Sequence, residues 1–395
     1  MTVPEFNHRA VSRRGLLQAS AIGAAGVAGT FATSTAASAK PDESVVDKAL
    51  RFNHDGRFTI VQFNDTQDNH TTDRRTIELQ EAVLDDAEPD FALINGDVIN
   101  GDMSTALEVK QALNNVVLPM ERRRIPWALT MGNHDEDSVG RTGMTEADIL
   151  AFVGQYKHNV NGPGADTTGT GNQVLTVRAS RGNADRFALW LLDSGRYAPS
   201  EIAGQDFTGY PTWDWLRFDQ VDWYWKTSQQ LERQQGALVP GLVFQHIALW
   251  EHRFMWFASV DARTDADHER AVATHGIVGE RNEAECPGPF NSGMFNAMLH
   301  RGDVKGLFVG HDHVNTYVGD YYGIELGYGP GTGFGTYGLG GADEHRLRGA
   351  RVFTLDEDDD DVYTGTEALF ASDYGIDLTN ERRPSEPHEF PAYVR

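Results

Sequence analysis

Three short apolar runs separated by two helical segments constrain this chain more than any other feature. Phe58 to Phe63, Phe91 to Ile94 and Trp127 to Thr130 are rich in β-branched and aromatic residues and too short for helices. Between the first two runs, Asp73 to Asp86 carries Ile77, Leu79, Val83 and Leu84 at near-helical spacing. Between the second and third, Ser104 is placed to cap a helix that runs to Leu118, with Pro119 as the stop. Strand, helix, strand, helix, strand is the signature of a parallel sheet with right-handed crossovers. The carboxyl ends of its strands share one edge, where open α/β sheets place their chemistry. Each of the three runs gives way to polar residues: Asn64-Asp65, Asn95-Gly96-Asp97 and Gly132-Asn133-His134-Asp135-Glu136.

The rest of the chain continues in the same manner. Thr145 to Asp148 is a capped helix start that extends to about Tyr156, and Asn161 to Asn172 is a Gly/Thr-rich loop. Val174 to Arg178 and Phe187 to Leu192 read as strands of a second sheet or of a continuation of the first. Trp213, Trp215, Trp223 and Trp225 lead into a helix ending near Gln235; their rings are expected mainly to pack helix on sheet, with substrate stacking as the alternative. Gly241 to Phe244 is a strand that delivers Gln245-His246. After an insertion, Val260 to Pro289, Asn291 to His300 is a helix, and Val304 to Val309 a strand delivering Gly310-His311-Asp312-His313. Thr316 to Tyr322 and Ile324 to Tyr328 make a hairpin, and Ala350 to Leu355 is the last strand. The loop Gly329 to Gly341 lacks Gly-Lys-Ser/Thr, so it is no nucleotide P-loop; a flexible rim is favoured over a phosphate cradle. Asp356 to Asp361 reads as a solvated turn, since it lacks the EF-hand pattern.

A net charge of −24 argues against nucleic-acid binding, which needs clustered Lys and Arg to release counterions. At 395 residues the chain can form one large α/β domain or two smaller ones. Its N-terminus is of another kind. Ser12-Arg13-Arg14-Gly15-Leu16-Leu17, a weakly apolar Gly/Ala stretch to Thr35 and the small residues Ala37-Ser38-Ala39 resemble a twin-arginine export signal with its cleavage site. That resemblance implies the twin-arginine translocation machinery as a partner and an exported, secreted or cell-envelope location. No run reaches the roughly 18 apolar residues of a stable membrane span. The single cysteine, Cys286, is expected to be a buried small residue and not a nucleophile, with no histidine in a telling local relation to it.

Strand ends thus offer Asp65, Asp97, Asn133 with His134, His246, and the pair His311 and His313. Carboxylate, amide and imidazole donors together suit two borderline divalent or trivalent ions, not a thiolate zinc site or an all-oxygen calcium site. In order, Asp65, Gly96-Asp97, Gly132-Asn133-His134-Asp135, His246 and Gly310-His311-Asp312-His313 resemble the five motifs of calcineurin-like metallophosphoesterases. Leu192-Asp193-Ser194-Gly195, Asn291-Ser292-Gly293-Met294-Phe295 and Gly310-His311-Asp312-His313-Val314-Asn315 resemble the purple-acid-phosphatase-like branch that lacks the fused N-terminal domain.

The resemblance implies a four-layer α/β/β/α sandwich of two mixed sheets flanked by helices. It divides the chain into a signal peptide (1–39), a linker (40–55), a metallophosphoesterase domain (56–355) and an acidic turn with C-terminal tail (356–395). It also implies a dimetal phosphatase or phosphodiesterase, holding Fe, Mn or Zn, in which a metal-bridging hydroxide attacks phosphorus in line. Asp97 would bridge the metals, Asp65 and His313 would serve the first, and Asn133, His246 and His311 the second. His134 would stand outside them as the catalytic residue that steadies the pentacoordinate phosphorus and helps the leaving oxygen depart.

Two departures stand out. Gln67 takes the place of the histidine in the family's first Asp-x-His motif, so the first metal would meet a weaker, harder amide donor, unless the nearby His70 substitutes. Asn100 stands three residues after Asp97, where coloured purple phosphatases have a tyrosine ligand, so no such colour is expected. Gln67 keeps a second possibility open: a catalytically weak relative that binds metal and holds a phosphorylated ligand or partner.

Overall fold

The computed structural model describes residues 49–210, 213–261, 263–341 and 344–395; the expected signal peptide lies outside the described residues. Strands β1 (Leu50–Arg51) and β2 (Arg57–Phe63) are followed by α1 (Arg74–Ala87), β3 (Phe91–Asn95), α2 (Ala106–Arg123) and β4 (Trp127–Thr130). As the alternation dictates, β2, β3 and β4 are parallel neighbours, with Ile60 opposite Phe91 and Leu93 opposite Ala128. Helix α1 starts at Asp73, whose carboxylate accepts the Arg75 amide. Helix α2 departs from expectation at both ends. Thr105, not Ser104, is its cap, closed by a reciprocal bond with Glu108, and the helix runs on through Pro119. Proline inside a helix costs ~3 kcal/mol. Val109, Leu113, Val116, Val117 and Met120 form a buried stripe that crosses it, each contributing about 1.5–3 kcal/mol, so burial wins.

Then come α3 (Val139–Thr142), α4 (Glu146–Val153), β5 (Gln173–Arg178), β6 (Asp185–Leu191), the small ribbon β7 (Glu201–Ile202) and β8 (Gln205–Asp206), and α5 (Phe218–Gln235). Next are β9 (Gly241–Phe244), α6 (Trp250–Phe257), α7 (Asp265–His275), α8 (Met294–Arg301), β10 (Val304–Val309), β11 (Val318–Tyr321), β12 (Ile324–Tyr328), β13 (Gly349–Asp356) and β14 (Tyr363–Phe370). Helix α4 stops short of Tyr156, and α8 begins only after Gly293, whose φ of +79° no helix continues. The insertion is not structureless, since it contains α7.

Two mixed sheets result. One is ordered β1-β5-β6-β9-β10-β12-β11 and the other β14-β13-β2-β3-β4. The period of two along each strand sorts its side chains into layers. Phe58, Ile60 and Leu93 meet Phe187, Leu189, Leu242, Phe244 and Phe308 between the sheets. Val61, Phe63, Ala92 and Ile94 face α1, α2 and α4 on one outer side. Trp190, Val243, Leu307 and Val309 face α5, α6 and α8 on the other. The architecture is the expected α/β/β/α sandwich. Two segments read as peripheral belong to it: Leu50 and Phe52, within the expected linker, are buried between the sheets, and β14 in the tail pairs with β13. The tail beyond it is tied down, with the Arg75 guanidinium donating to the carbonyls of Asp377 and Glu381.

Within each sheet the parallel strands share a direction: β2, β3 and β4 in one, β6, β9 and β10 in the other. Their carboxyl ends carry Asp65, Asp97, Asn133, His246 and His311.

Candidate metal centre

The loops after these strands bind one another. The Gln67 amide donates to the Asp97 carbonyl at 2.9 Å and the Gly310 amide to the His246 carbonyl at 3.1 Å. The Asp65 carboxylate accepts the His311 amide at 3.1 Å, and Asp97 Oδ1 accepts the His134 amide at 2.8 Å. Asp65, Gln67, Asp97 and His311 all have positive φ, at +49°, +24°, +46° and +73°. Left-handed backbone at non-glycine residues costs free energy and collects where a site demands a particular side-chain direction. Two glycines are required by close approach. A Cβ on Gly132 would land on the Asp97 amide and carboxylate, and one on Gly96 on the His246 ring.

The side chains converge accordingly. Asp97, His246 and His311 offer ligand atoms within 4.8 Å of one another, and so do Asp65, Asp97 and His313. Asp97 belongs to both groups. All five are buried. His246 Nδ1 is directed to the Asn95 carbonyl at 3.1 Å, which leaves Nε2 facing Asp97 Oδ2 at 3.1 Å. His313 Nδ1 meets Thr336 Oγ1 at 3.1 Å while Nε2 lies 3.5 Å from Asp65 Oδ1, and the Tyr337 ring stacks on the imidazole at 4.3 Å.

The charge states reflect burial and neighbours. Burial raises the Asp65 carboxyl, and Asp97 beside it adds to the shift. Burial would also raise Asp97, but His246 outweighs it and holds that carboxyl low. His246 is raised in turn, the pull of Asp97 overcoming its burial. His311 is pushed down to about 3, chiefly by burial, and is neutral as a ligand must be.

Whether such a site suits metal ions can be judged from its unmet polar atoms. Both side-chain atoms of Asn133 and Oε1 of Gln67 are buried without a hydrogen-bond partner. Buried polar atoms left unpaired are costly, and these three belong to residues around the two donor groups. The mixture of carboxylate, amide oxygen and imidazole suits borderline divalent or trivalent ions. Gln67 is brought to the centre, its Nε2 3.4 Å from Asp97 Oδ2. His70 is not among the clustered ligands of the described residues; its carbonyl accepts from Asn115 on α2.

His134 borders two cavities that meet at the centre. One, of about 530 Å³, is lined by Gln67, Asn100, Asp102, Asp137 and Arg141; the other, of about 340 Å³, by Trp213, Glu283, Cys286 and Tyr337. Trp213 is therefore not interior packing: its ring meets His311 edge-on at 4.4 Å. Trp223 does pack as expected, against Trp190. Cys286 departs from expectation, being half-buried at the cavity and grouped with His311 and Asp312 within 4.8 Å. Burial and the nearby Asp312 push its thiol up to about 12, so it is protonated.

The calcineurin-like phosphoesterase profile matches residues 58–315, the span that contains every one of these ligands. The chain belongs to the calcineurin-like phosphoesterase family. Among curated relatives, probable inactive purple acid phosphatase 14 of Arabidopsis thaliana is 32% identical over 248 residues, covering 58% of this chain and 55% of that protein. Probable inactive purple acid phosphatase 29 of the same plant is 32% identical over 268 residues, covering 63% and 61%. The chain thus spans less than two thirds of their lengths. A solved dimetal phosphatase from Danio rerio aligns with 82% of this chain and 99% of its own at 13% identity and a TM-score of 0.47. The family binds a dinuclear metal site, and this chain has the candidate ligands for one.

Sequence reasoning passed over four residues around the centre. Asp137 and Arg196 hold the His134 loop, Thr336 directs His313, and the buried Arg348 pins the glycine-rich loop by donating to the carbonyls of Thr336 and Tyr337. The first half of that loop, Gly329 to Phe334, is buried, whereas Tyr337, Gly340 and Gly341 are exposed. Only Asp137, next to the recognised motif, carried any signal in the sequence.

Proposed function

We propose that the chain is an exported, metal-dependent phosphoesterase that hydrolyses a phosphomonoester or phosphodiester by in-line displacement. The observation that carries this reading is the membership of Asp97 in both donor groups. Asp65, Gln67 and His313 with Asp97 would hold one ion, and Asn133, His246 and His311 with Asp97 the other. Such a pair, when bound, supplies charge neutralisation for the phosphoryl oxygens and lowers the pKa of water near neutrality; Fe, Mn and Zn all suit the donors.

The protein's own part is to orient and to protonate. The His134 amide is tied to Asp97 Oδ1, so its ring stands beside the centre without belonging to either donor group. From there it can hold the phosphoryl group and give a proton to the leaving oxygen. Its basicity is raised: burial works against the charged ring, but the hydrogen bond to Asp137 and the charge of Asp97 prevail. His134→Asn is expected to lower turnover of aryl phosphates about 10²–10⁴-fold with the ion count per chain unchanged. Turnover equal to the parent's removes His134 from the mechanism.

A second reading, a metal-binding protein of weak turnover that retains a phosphorylated ligand, is supported by Gln67 and by the names of the two plant relatives. Export is supported by Ser12-Arg13-Arg14-Gly15-Leu16-Leu17. Replacing Arg13 and Arg14 by Lys should retain the protein inside the cell, and undiminished export would sink that route. Among the described residues no helix is long and apolar enough to cross a membrane.

A further inference from the structure

His134 is held by a chain of charged groups drawn from both sheets. Its Nδ1 lies 2.6 Å from Asp137 Oδ2. The other carboxylate oxygen, Oδ1, accepts from Arg196 Nη2 at 2.7 Å, and the Tyr197 hydroxyl donates to Oδ2 at 3.0 Å. Arg196 does more than neutralise Asp137. Its Nη1 bonds Glu136 Oε2 at 2.7 Å and its Nε the Asn133 carbonyl at 3.1 Å, so one guanidinium grips the loop at three points. Arg196 lies beyond β6 of the seven-stranded sheet, whereas the loop lies beyond β4 of the five-stranded one. The clamp therefore fixes His134 relative to the histidines delivered by the other sheet.

A carboxylate that accepts from one imidazole nitrogen sets the tautomer and the ring angle, and commits the other nitrogen to the opposite side. Here the committed nitrogen is Nδ1, and Nε2 is left for the cavities that His134 borders. We propose that Asp137 and Arg196 are positioning residues for His134: Asp137 fixes the ring with Nε2 toward the scissile phosphoester, and Arg196 fixes Asp137. For its catalytic consequence this rests on the phosphoesterase reading above; the orientation of the ring does not. In the step concerned, the phosphorus–oxygen bond to the leaving alcohol breaks as the bond to water's oxygen forms. His134 enters the step as the imidazolium: its Nε2 proton passes to the leaving oxygen, and the neutral ring that results keeps its Nδ1 proton, hydrogen-bonded to Asp137. The proton lost by water restores the ring after product leaves.

Both parts are tested with Asp137→Asn and Arg196→Met, each alone and combined with His134→Asn, on the full metal-loaded chain. The first readout is the ¹⁵N–¹H spectrum of the histidine rings, with His134 assigned by its absence in His134→Asn. Asp137→Asn is expected to move the His134 ring from the Nδ1–H form to a mixture; an unchanged ring signal in both variants overturns the proposal. The second readout is kcat on phenyl and p-nitrophenyl phosphate. Asp137→Asn should lower kcat about 10–100-fold, more for the poorer leaving group, with KM little changed and no further loss in the His134→Asn background. Losses that multiply in the double variant overturn it. A parent chain that turns over no ester defeats the phosphoesterase reading, while the ring spectrum still decides the orientation.

Discussion

His246 Nε2 lies 3.1 Å from Asp97 Oδ2, and both side chains are shut off from solvent. The pair is a proton-holding arrangement: Asp97 is kept ionised and His246 is raised by its partner. An incoming cation needs the same Asp97 oxygen and a neutral His246, so it must expel that proton.

Metal uptake should therefore release protons and weaken as pH falls. Because the His246 pKa is raised, the ring stays protonated to higher pH than a free imidazole, and affinity should rise with pH across the neutral range. The expected slope is about tenfold per pH unit for each proton displaced. Calorimetric titration with Mn²⁺ or Zn²⁺ in buffers of different ionisation enthalpy measures it. A pH-independent affinity would mean that His246 does not bind the ion.

Gln67 sets how firmly one ion is held. Its Oε1 is buried and unpaired and its Nε2 approaches Asp97, so the amide is close enough to serve as a ligand. Gln67→Ala should weaken one of the two ions by on the order of tenfold, or about 1.4 kcal/mol. Gln67→His should tighten it, because imidazole is the stronger donor to these metals. Competition with a chromophoric chelator reads both, and equal affinities across the series would show that the side chain does not reach the metal.

Away from the centre, His252 gives the fold an acid weakness. Its ring is wholly buried, and burial outweighs Glu285 and the backbone of Leu249 and Gly327 to push its pKa down to about 4. The unfolded chain binds a proton there at about pH 6.5, so it binds more protons than the folded chain between these values. Stability should fall as pH drops below about 6.5 and level off near 4, a loss of about 2–4 kcal/mol from this residue. In chelator-stripped protein, His252→Leu should flatten the decline in Tm between pH 7.5 and 5. An unaltered slope would place the lability elsewhere.

Much of the candidate site was legible because strand-end chemistry is local. A run such as Phe91 to Asn95 leading into Gly96-Asp97 announces a strand, a turn with room for a close approach and a carboxylate, all within a few residues. The fold was legible for the same reason wherever burial alternates or recurs at helical spacing. Pro119 misled because the apolar stripe along α2 outweighs one lost helix hydrogen bond, and no local rule weighs the two. Arg196 and Thr336 were invisible because their partners come from the far side of the sandwich or from another loop, and Arg348 because only the folded-back path of the loop before it brings the Thr336 and Tyr337 carbonyls to its guanidinium. Arg196 reaches across 63 residues to the Asn133 carbonyl, and Thr336 across 23 to His313. Cys286 and Trp213 reach the cavity through loops whose path one sequence does not determine.

Under the proposed function, Asp97 joins two ions into one hydrolytic centre. That role is tested most directly by counting metal ions per chain and measuring turnover of aryl phosphate monoesters and diesters on the same samples, for the parent and for Asp97→Asn. Two ions and metal-dependent hydrolysis are expected in the parent, with the loss of at least one ion and of activity together in the variant. Two ions bound in the parent with no hydrolysis of any ester, or two ions retained in Asp97→Asn at undiminished turnover, would contradict it.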